Sequence, residues 1–354
     1  MNFKRIVHLT PPQLSDEQIA EKITCIRAHR ERLFNTTTEI SNGKLICHNY
    51  GQGGAGWTFL FGCVHESIRQ FEEYLHEHPT YKNKPIAIIG AGCYGLLTAT
   101  MLARKGYSVR IIAPETKAIP SYKAAGFFFP RPRKSSTPHE TAVFHERGIE
   151  SYRTYQQIMR GEHPFIKQGA KQVPAYFGMD IDPGFAPYIA EGLIAAPEEV
   201  TIHFGNNKIY DVMEYQLIFM DTAMLMKELE RNVASLNIAR IAQTITNFDD
   251  VIEPIIFNCS GFGAKELTHD PRLVPVQGHL ITLKNQPIEQ LQYMINVKVI
   301  MPSIKGTPRD ELIYFAPKED GILGITFIRG QDSLTANQHE FDRLLERCRT
   351  FFGD

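Results

Sequence analysis

Residues Pro85–Glu115 read PIAIIGAGCYGLLTATMLARKGYSVRIIAPE, and this stretch decides the fold class of the 354-residue chain. Its apolar opening, IAIIG, predicts a strand covered on both faces of a parallel sheet. LLTATMLARKG predicts a helix that ends near Gly106, a residue type favoured at helix C-termini. YSVRIIAPE predicts the next strand. Strand, helix and strand form one βαβ unit, which is typical of α/β proteins.

The turn between that first strand and the helix has the pattern G-x-G-x-x-G, with Cys93 and Tyr94 as its inner pair. Gly90 would allow the tight turn, Gly92 would let a pyrophosphate approach the backbone, and Gly95 would let helix and strand pack closely. The N-terminus of the helix offers free N–H groups and partial positive charge to phosphates. The context predicts dinucleotide binding; the alternative is a tight turn without a ligand.

The chain contains two more glycine-rich turns. HNYGQGGAGWTFLFGCVHES, His48–Ser67, has four glycines in six residues and leads into a helix predicted from Thr58 to about His76. The positive end of that helix would stabilise the negative charge of a reduced flavin ring. NCSGFGAKEL, Asn258–Leu267, predicts a strand, a turn and a helix. Taken singly, the first could be a flexible loop and the second an ordinary tight turn.

Composition excludes several classes of protein. There are 38 basic and 39 acidic residues, which gives no general attraction to nucleic acid or anionic lipid. The six cysteines show no metal-ligand or redox-pair spacing, so we predict no metal site and reduced thiols of a cytoplasmic protein. The N-terminus does not resemble a signal peptide, and no apolar run is long enough to span a membrane.

Other segments predict a mixed architecture. Ser15–Leu33 begins with a charged helical pattern and is expected to become extended near Cys25. The region from about 164 to 207 is rich in Gly, Pro and aromatic residues and favours strands and loops. Asp221–Leu236 and Asn337–Gly353 predict amphipathic helices. The strands predicted between them, including GHLITL, ELIYFAP and GILGITF, indicate an α/β protein whose second region is partly antiparallel.

Several stretches together resemble the FAD-dependent D-amino-acid oxidase family, within the glutathione-reductase-like flavoproteins. They are GAGCYG (Gly90–Gly95), NCSGFGAKELTHDPRLVPVQGHLITL (Asn258–Leu283), YKAAGFFFP (Tyr122–Pro130), LIYFAPKEDGILGITF (Leu312–Phe327) and, most specific, HNYGQGGAG (His48–Gly56). The resemblance implies non-covalently bound FAD. It also implies a Rossmann-like FAD-binding domain with an interleaved, mainly antiparallel substrate domain.

The order of these segments differs from that of the family, where the dinucleotide fingerprint comes first and H-N-Y-G comes late. CIRAHRERLFNTTTE, Cys25–Glu39, resembles the Arg-containing segment that precedes H-N-Y-G, and the chain ends on a helix similar to the one before that segment. We therefore predict a circular permutation joined through HEHPTYKNKP, residues 76–85. A helix of about 18 residues would run ~27 Å from the cofactor to the start of the first Rossmann strand. The alternative is an appended N-terminal module with an accidental glycine loop.

With this order, the predicted FAD-binding domain comprises residues 40–160 and 210–275. The substrate domain comprises residues 1–39, 161–209 and 276–354. The resemblance assigns cofactor contacts to residues of every glycine turn, and Glu115, at the end of the second strand, is the candidate for the ribose, although it could be a solvated acid. The implied cofactor-binding residues are Gly53, Gly54, Ala55, Gly56, Trp57, Thr58, Gly90, Gly92, Cys93, Tyr94, Gly95, Glu115, Ala125, Gly126, Ile245, Ser260 and Gly261.

By the same resemblance, Arg27 and Tyr314 bind the substrate carboxylate, and Gly54 lines the flavin beside them. A guanidinium can hold a carboxylate through two parallel hydrogen bonds. Without the resemblance, Arg27 would be a solvated charge and Tyr314 an ordinary strand aromatic. A second substrate tyrosine of the family has no counterpart here.

The implied reaction is hydride transfer from the α-carbon of an amino acid or small carboxylated amine to flavin N5. Reoxidation by O2 would give H2O2, and the imine would hydrolyse to an oxo acid and ammonia. The alternatives are a flavin dehydrogenase with another acceptor and a catalytically silent flavin-binding protein. A nicotinamide enzyme would leave the H-N-Y-G segment unexplained. The predicted partner is a small molecule, not nucleic acid or a membrane, and a homodimer remains an open alternative.

Overall fold

The computed structural model describes residues 4–115, 119–205, 208–301, 309–335 and 337–353. Within them the chain forms eight α-helices and sixteen strands. The helices are α1 Gly56–Glu77, α2 Cys93–Arg104, α3 Pro120–Lys123, α4 Pro138–Met159, α5 Ala186–Ala190, α6 Thr222–Ser235, α7 Ala264–Thr268 and α8 Gln338–Phe352. The strands are β1 Arg5–His8, β2 Ile19–Arg30, β3 Thr38–Ser41, β4 Lys44–His48, β5 Ile86–Ile89, β6 Val109–Ala113, β7 Ala170–Phe177, β8 Glu198–His203, β9 Ile209–Met220, β10 Ala239–Ala242, β11 Ile255–Asn258, β12 Leu273–Leu283, β13 Met294–Met301, β14 Arg309–Ala316, β15 Ile322–Gly324 and β16 Ile328–Arg329.

The smaller of the two sheets contains the predicted βαβ unit. Its strand order is β10-β6-β5-β11-β4-β3, and every pairing is parallel except that of the edge strand β3. All four residues of β5 and of β11 are buried, as expected for strands covered on both faces. The carboxyl ends of β4, β5 and β11 lie side by side, so the three glycine turns that follow them meet at one edge of the sheet.

The larger sheet has ten strands and is mainly antiparallel. Its order is β1-β8-β9-β7-β13-β14-β15-β12-β16, and β2 also pairs with β12. The pairs β1–β8 and β7–β13 are parallel. The mixed α/β architecture with a mainly antiparallel second region is therefore confirmed.

The helix expected at the start of Ser15–Leu33 was wrong. Only Asp16–Gln18 form a short 3-10 turn, and β2 then runs from Ile19 to Arg30. β2 pairs with β12 along its length, from Arg30 opposite Leu273 to Ile19 opposite Leu283. Backbone pairing over this length outweighs the weak helical preference of a few charged residues.

The two largest hydrophobic cores of the described residues support the sheets. In the first, α1 crosses the smaller sheet, and Phe71 packs edge-on against Phe257 of β11 with ring centroids 5.3 Å apart. In the second, α8 covers one face of the larger sheet through residues such as Phe341 and Leu344. Each sheet is therefore packed against at least one long helix.

The connection between α1 and β5 is short and runs over the surface. Residues 78–85 contain one 3-10 turn, Pro79–Tyr81, and the Tyr81 hydroxyl donates to the carbonyl of Gly43 at 2.9 Å. In the described part of the chain no helix is long and apolar enough to cross a membrane. All six cysteines are free thiols.

Candidate active site

The turn between β5 and α2 needs two of its glycines for steric reasons. Gly90 has φ of +112°, and a Cβ there would lie 2.4 Å from the carbonyl oxygen of Cys259 in the neighbouring turn. A Cβ on Gly95 would lie 2.0 Å from the carbonyl oxygen of Gly90. The tight turn and the close packing predicted from the pattern are both present, and α2 begins directly afterwards at Cys93.

Ser121 of α3 lies over this turn, a residue that the sequence analysis did not single out. Its hydroxyl accepts a hydrogen bond from the backbone N–H of Cys93 at 3.1 Å, and its carbonyl accepts one from the indole N–H of Trp57 at 3.0 Å. The Tyr94 hydroxyl donates to the carbonyl of Gly56 at 2.9 Å. The turn between β5 and α2 is therefore hydrogen-bonded to the start of α1, directly through Tyr94 and indirectly through Ser121. The only sequence signal for Ser121 is its position beside YKAAGFFFP.

The H-N-Y-G segment is held by a polar network. His48 lies between the side-chain amide of Asn258, 3.2 Å from Nδ1, and the carboxylate of Glu39, 3.1 Å from Nε2. Burial lowers the pKa of His48, against the opposing effect of Glu39. Tyr50 donates to Asp270 at 2.9 Å, and Arg30 donates to the same carboxylate oxygen at 2.6 Å. This network fixes the glycine loop relative to β2 and β11.

Burial acts to raise the pKa of Asp270, but hydrogen bonds from Arg30, the backbone N–H of Arg272 and Tyr50 outweigh it, so the pKa is lowered. Asp270 is therefore ionised at neutral pH and keeps Arg30 in place beside the loop. Arg30 belongs to the same strand as Arg27, so this ion pair also anchors the strand that carries the candidate substrate arginine.

The glycine loop then passes directly over β2. A Cβ on Gly54 would lie 3.3 Å from Cδ of Arg27, and one on Gly53 would lie 3.0 Å from Nδ1 of His29. Burial lowers the pKa of His29 to about 4, and Arg133 and Arg329 add to the effect by repulsion. His29 is thus neutral at neutral pH, and it lies on the same face of the strand as Arg27.

Arg27 is buried, with 8% of its surface exposed, and lacks a carboxylate partner among the described residues. Its Nη1 donates to the carbonyl of Thr326 at 2.8 Å, and its guanidinium lies 4.9 Å from the centroid of the Phe327 ring. Burial lowers the pKa of Arg27, but arginine stays protonated in proteins. A buried cation without a counter-ion is costly, so this geometry favours an anionic ligand beside Arg27.

Tyr314 of β14 lies near Arg27. It is buried, and burial raises its pKa against the opposing charge of Arg27, so the phenol is neutral. Its ring packs against Phe127 with centroids 5.3 Å apart, and Phe127 contacts Phe177 at 5.6 Å. The site therefore combines one cation, one phenol and an aromatic wall.

The segment that carries this wall also contacts the start of α1. The backbone N–H of Phe129 donates to the Thr58 hydroxyl at 3.1 Å, and Ala125 and Gly126 are buried just before it. On the other side, the Ser260 hydroxyl donates to the Asn258 side chain at 2.6 Å, and a Cβ on Gly261 would meet no atom within 4 Å.

Two further predicted residues lie near the ends of β5 and β6. Glu115 is exposed after the end of β6, next to residues 116–118, which lie outside the described part of the chain. Ile245 is buried in a cluster with Ile89 and Ile112 at the strand ends.

These residues fit a dinucleotide that carries a flavin. Glycine backbone is presented by the turns after β4, β5 and β11, and Gly261 leaves open space where a side chain would intrude. α1 and α2 both begin at this edge, which places two positive helix ends there. The turn at Gly90–Gly95 and Ser121 would hold the pyrophosphate, and Gly54–Thr58 with Ala125 and Gly126 would line the flavin.

Comparison with known proteins agrees with this architecture. Residues 85–354 match the model of a protein family described as FAD dependent oxidoreductase. D-amino-acid oxidase of Streptomyces coelicolor is 24% identical over 239 residues, which cover 67% of this chain and 68% of that protein. D-amino-acid oxidase of Rubrobacter xylanophilus is 22% identical over 281 residues, covering 74% and 75%.

Two solved structures share the fold at 18% identity. Glycine oxidase from Bacillus cereus superposes with a TM-score of 0.54, covering 75% of this chain and 79% of that one. Iminodiacetate oxidase from Chelativorans gives a TM-score of 0.53, covering 76% and 79%. The fold class expected from the sequence is therefore confirmed.

Proposed function

The chain belongs to the family of FAD-dependent oxidoreductases, and we propose that it oxidises the C–N bond of an amino acid or small carboxylated amine. The observation that carries the proposal is Arg27, a buried cation without an anionic partner among the described residues, set against the glycine loop. A carboxylate is the anion that a guanidinium binds best through two parallel hydrogen bonds. FAD, when bound, supplies the hydride acceptor.

The residues of the chain bind and orient the substrate. Arg27 takes the carboxylate, and the neutral phenol of Tyr314 donates a second hydrogen bond to it. Gly54, which has no side chain, leaves room for the α-carbon beside Arg27. Positioning of this kind can supply much of the rate enhancement.

The aromatic wall around Phe127 excludes water from the reacting carbon. Because neutral amines already carry a lone pair, no side chain is required as a base. We propose O2 as the acceptor: amine and O2 give imine and H2O2, and water then converts the imine to an oxo acid and ammonia.

The experiment is anaerobic mixing of the FAD-loaded protein with glycine, D-amino acids and N-methylated amino acids, followed by absorption of the oxidised flavin. We expect bleaching by carboxylated amines and a rise in KM of roughly 100-fold or more in Arg27→Ala, from the loss of a charge-assisted contact. Arg153→Ala is the matched control, because Arg153 is exposed and paired with Glu191.

If no amine bleaches the flavin, the protein is a silent flavin-binding protein. If Arg27→Ala leaves the KM of every carboxylated amine unchanged, the carboxylate clamp is wrong. Reduction of a dye without uptake of O2 would assign a different acceptor.

We also propose that the chain order is a circular permutation. The family match begins at residue 85, yet residues before it supply β2, β4 and α1, which lie inside the two sheets and their main core. We keep the proposed division into FAD-binding and substrate domains, with one change. The second FAD-binding segment begins after Met220 rather than at residue 210, because β9 belongs to the larger sheet.

A further inference from the structure

The position of Arg27 depends on a short segment after β15. Among the described residues, the one hydrogen-bond acceptor that Arg27 contacts is the carbonyl of Thr326 in this segment. The carbonyls of Gly324 and Ile325 just before it accept hydrogen bonds from Nη2 of Arg347 in α8, at 3.3 and 3.1 Å. The carbonyl that Arg27 contacts is therefore part of a segment that other side chains hold in place.

His279 of β12 holds the same segment from the other side. Its backbone N–H donates to the hydroxyl of Thr326 at 3.0 Å, and its ring Nδ1 lies 2.7 Å from that hydroxyl. The hydroxyl accepts from the backbone N–H and can use its single hydrogen to donate to Nδ1. His279 and Thr326 are thus joined by two hydrogen bonds, and Thr326 is the residue whose carbonyl contacts Arg27.

The ring of His279 has no other polar role in the described structure. It is fully buried, it packs edge-on against Phe341 with centroids 4.9 Å apart, and its Nε2 has no hydrogen-bond partner among the described residues. A buried nitrogen without a partner is destabilising, so packing alone would be served better by an apolar side chain. The polar contact with Thr326 is what distinguishes histidine at this position.

The residue before His279, Gly278, lies directly against the guanidinium of Arg27. A Cβ on Gly278 would lie 2.2 Å from Nη2 of Arg27, so the guanidinium rests on the backbone of β12. Two consecutive residues of β12 therefore act on Arg27. Gly278 forms the surface on which the guanidinium lies, and His279 holds Thr326, whose carbonyl accepts the hydrogen bond from Arg27.

We propose that His279 is a positioning residue for the substrate carboxylate, acting through Thr326 to fix the guanidinium of Arg27. This inference rests on the proposed function of Arg27. It adds a determinant of substrate binding that lies outside the residues expected to touch substrate.

The test compares His279→Asn with His279→Leu in the FAD-loaded protein. Asparagine places a polar atom where Nδ1 stands, whereas leucine keeps the apolar contact with Phe341 and removes the polar one. The probes are acetate and propionate, with acetamide as the neutral control, and their Kd is measured by calorimetry and by perturbation of the flavin spectrum. We expect His279→Leu to weaken carboxylate binding roughly tenfold and His279→Asn to stay within about twofold of the parent.

Thr326 provides an independent pair of variants should a change at 279 prevent folding. Thr326→Val removes the hydroxyl and keeps the shape and the carbonyl, and Thr326→Ser keeps the hydroxyl. We expect the valine variant to weaken carboxylate binding as His279→Leu does, and the serine variant to bind like the parent.

The outcomes separate the two proposals. Equal carboxylate affinity in the parent, His279→Leu and Thr326→Val would overturn the positioning role while Arg27 keeps its own. Weaker binding in His279→Asn than in His279→Leu would show that packing against Phe341 is what matters, which also overturns it. Unchanged affinity in Arg27→Ala would instead refute the carboxylate clamp itself.

Discussion

At the scale of single residues, the geometry around Arg27 depends on the absence of a side chain at 278. The first atoms that a Cβ there would meet belong to the guanidinium of Arg27, the far end of a flexible side chain. Such an end can move aside without disturbing the backbone, so the cost of Gly278→Ala falls on binding rather than on folding.

We therefore expect Gly278→Ala to weaken the binding of small carboxylates roughly tenfold, because displacement of the guanidinium breaks its contact with Thr326. The midpoint of thermal unfolding should change little. Gly178→Ala is the control, since a Cβ there meets no atom within 4 Å. A variant at 278 that binds carboxylates like the parent would show that Arg27 does not hold them.

Lys318 is a second residue whose environment gives a measurable prediction. It is buried, and its ammonium donates to the carbonyl of Ala124 and to the hydroxyl of Thr222, both at 2.8 Å, and to the carbonyl of Tyr122. Burial lowers the pKa of Lys318 from its usual value of 10.5 to about 8. It links the hairpin after β14 to the segment that leads to the predicted flavin contacts.

The folded state therefore releases this proton before the unfolded state does. Between pH 8 and 10.5 the unfolded chain binds more protons, so the contribution of Lys318 to the free energy of unfolding rises with pH, by at most about 1.4 kcal/mol per pH unit. Urea unfolding of the parent and of Lys318→Met should show a difference that is flat from pH 6 to 7 and then grows in favour of the parent. A difference that does not change with pH would mean that the pKa of Lys318 is the same in the folded and unfolded states.

Residue by residue, the sequence could predict what backbone sterics and a family pattern determine. Gly90 and Gly95 have the steric roles expected of them, and Arg27 and Tyr314 lie near each other on the larger sheet. His279 could not be predicted, because its role depends on a hydroxyl 47 residues away that only tertiary structure places beside it.

At the scale of elements, α4 shows how a local signal determines where a helix begins. The hydroxyl of Thr137 accepts from the backbone N–H of Glu140 at 3.2 Å, and the carboxylate of Glu140 accepts from the N–H of Thr137 at 2.7 Å. Glu140 also pairs with Arg32 at 2.9 Å, so the cap ties α4 to the segment after β2.

We expect Thr137→Ala to lower the free energy of unfolding by about 1 kcal/mol, measured by urea denaturation, because an N–H at the first turn loses its acceptor. Thr137→Ser keeps the hydroxyl and should stay close to the parent. If the alanine and serine variants are equally stable, the capping hydrogen bond contributes nothing.

β2 shows where local signals fail. Its charged residues Glu21 and Lys22 look helical beside one another, but they belong to a strand that is stabilised by eleven paired positions on β12. Nothing within the segment reveals that partner, which lies about 250 residues later in the chain.

At the scale of the whole molecule, the order of segments and their positions in space are separate properties. The end of α8 lies beside the first part of the chain: Arg349 donates to the carbonyl of Leu14 at 2.7 Å and pairs with Asp16 at 2.9 Å. The Tyr210 hydroxyl donates to the carbonyl of Phe351 at the end of α8. Tyr210 belongs to β9, which pairs with β8, and β8 pairs with β1 at the start of the chain. Permutation predicts that the fold survives when these neighbouring ends are joined and the surface connection after α1 is cut.

We therefore expect a reordered chain, residues 84–353 followed by a flexible linker and residues 4–83, to fold and bind FAD like the parent. A Gly/Ser linker of about ten residues reaches roughly 17 Å, enough to pass between neighbouring strands and helices. The measurement is the amount of FAD released on denaturation and the midpoint of thermal unfolding. Residues 85–353 alone are the control and should not retain FAD, because they lack β2, β4 and α1. Should that shorter chain fold and hold FAD as well as the parent, residues 4–84 would be an appended module, since the core would then be complete without them.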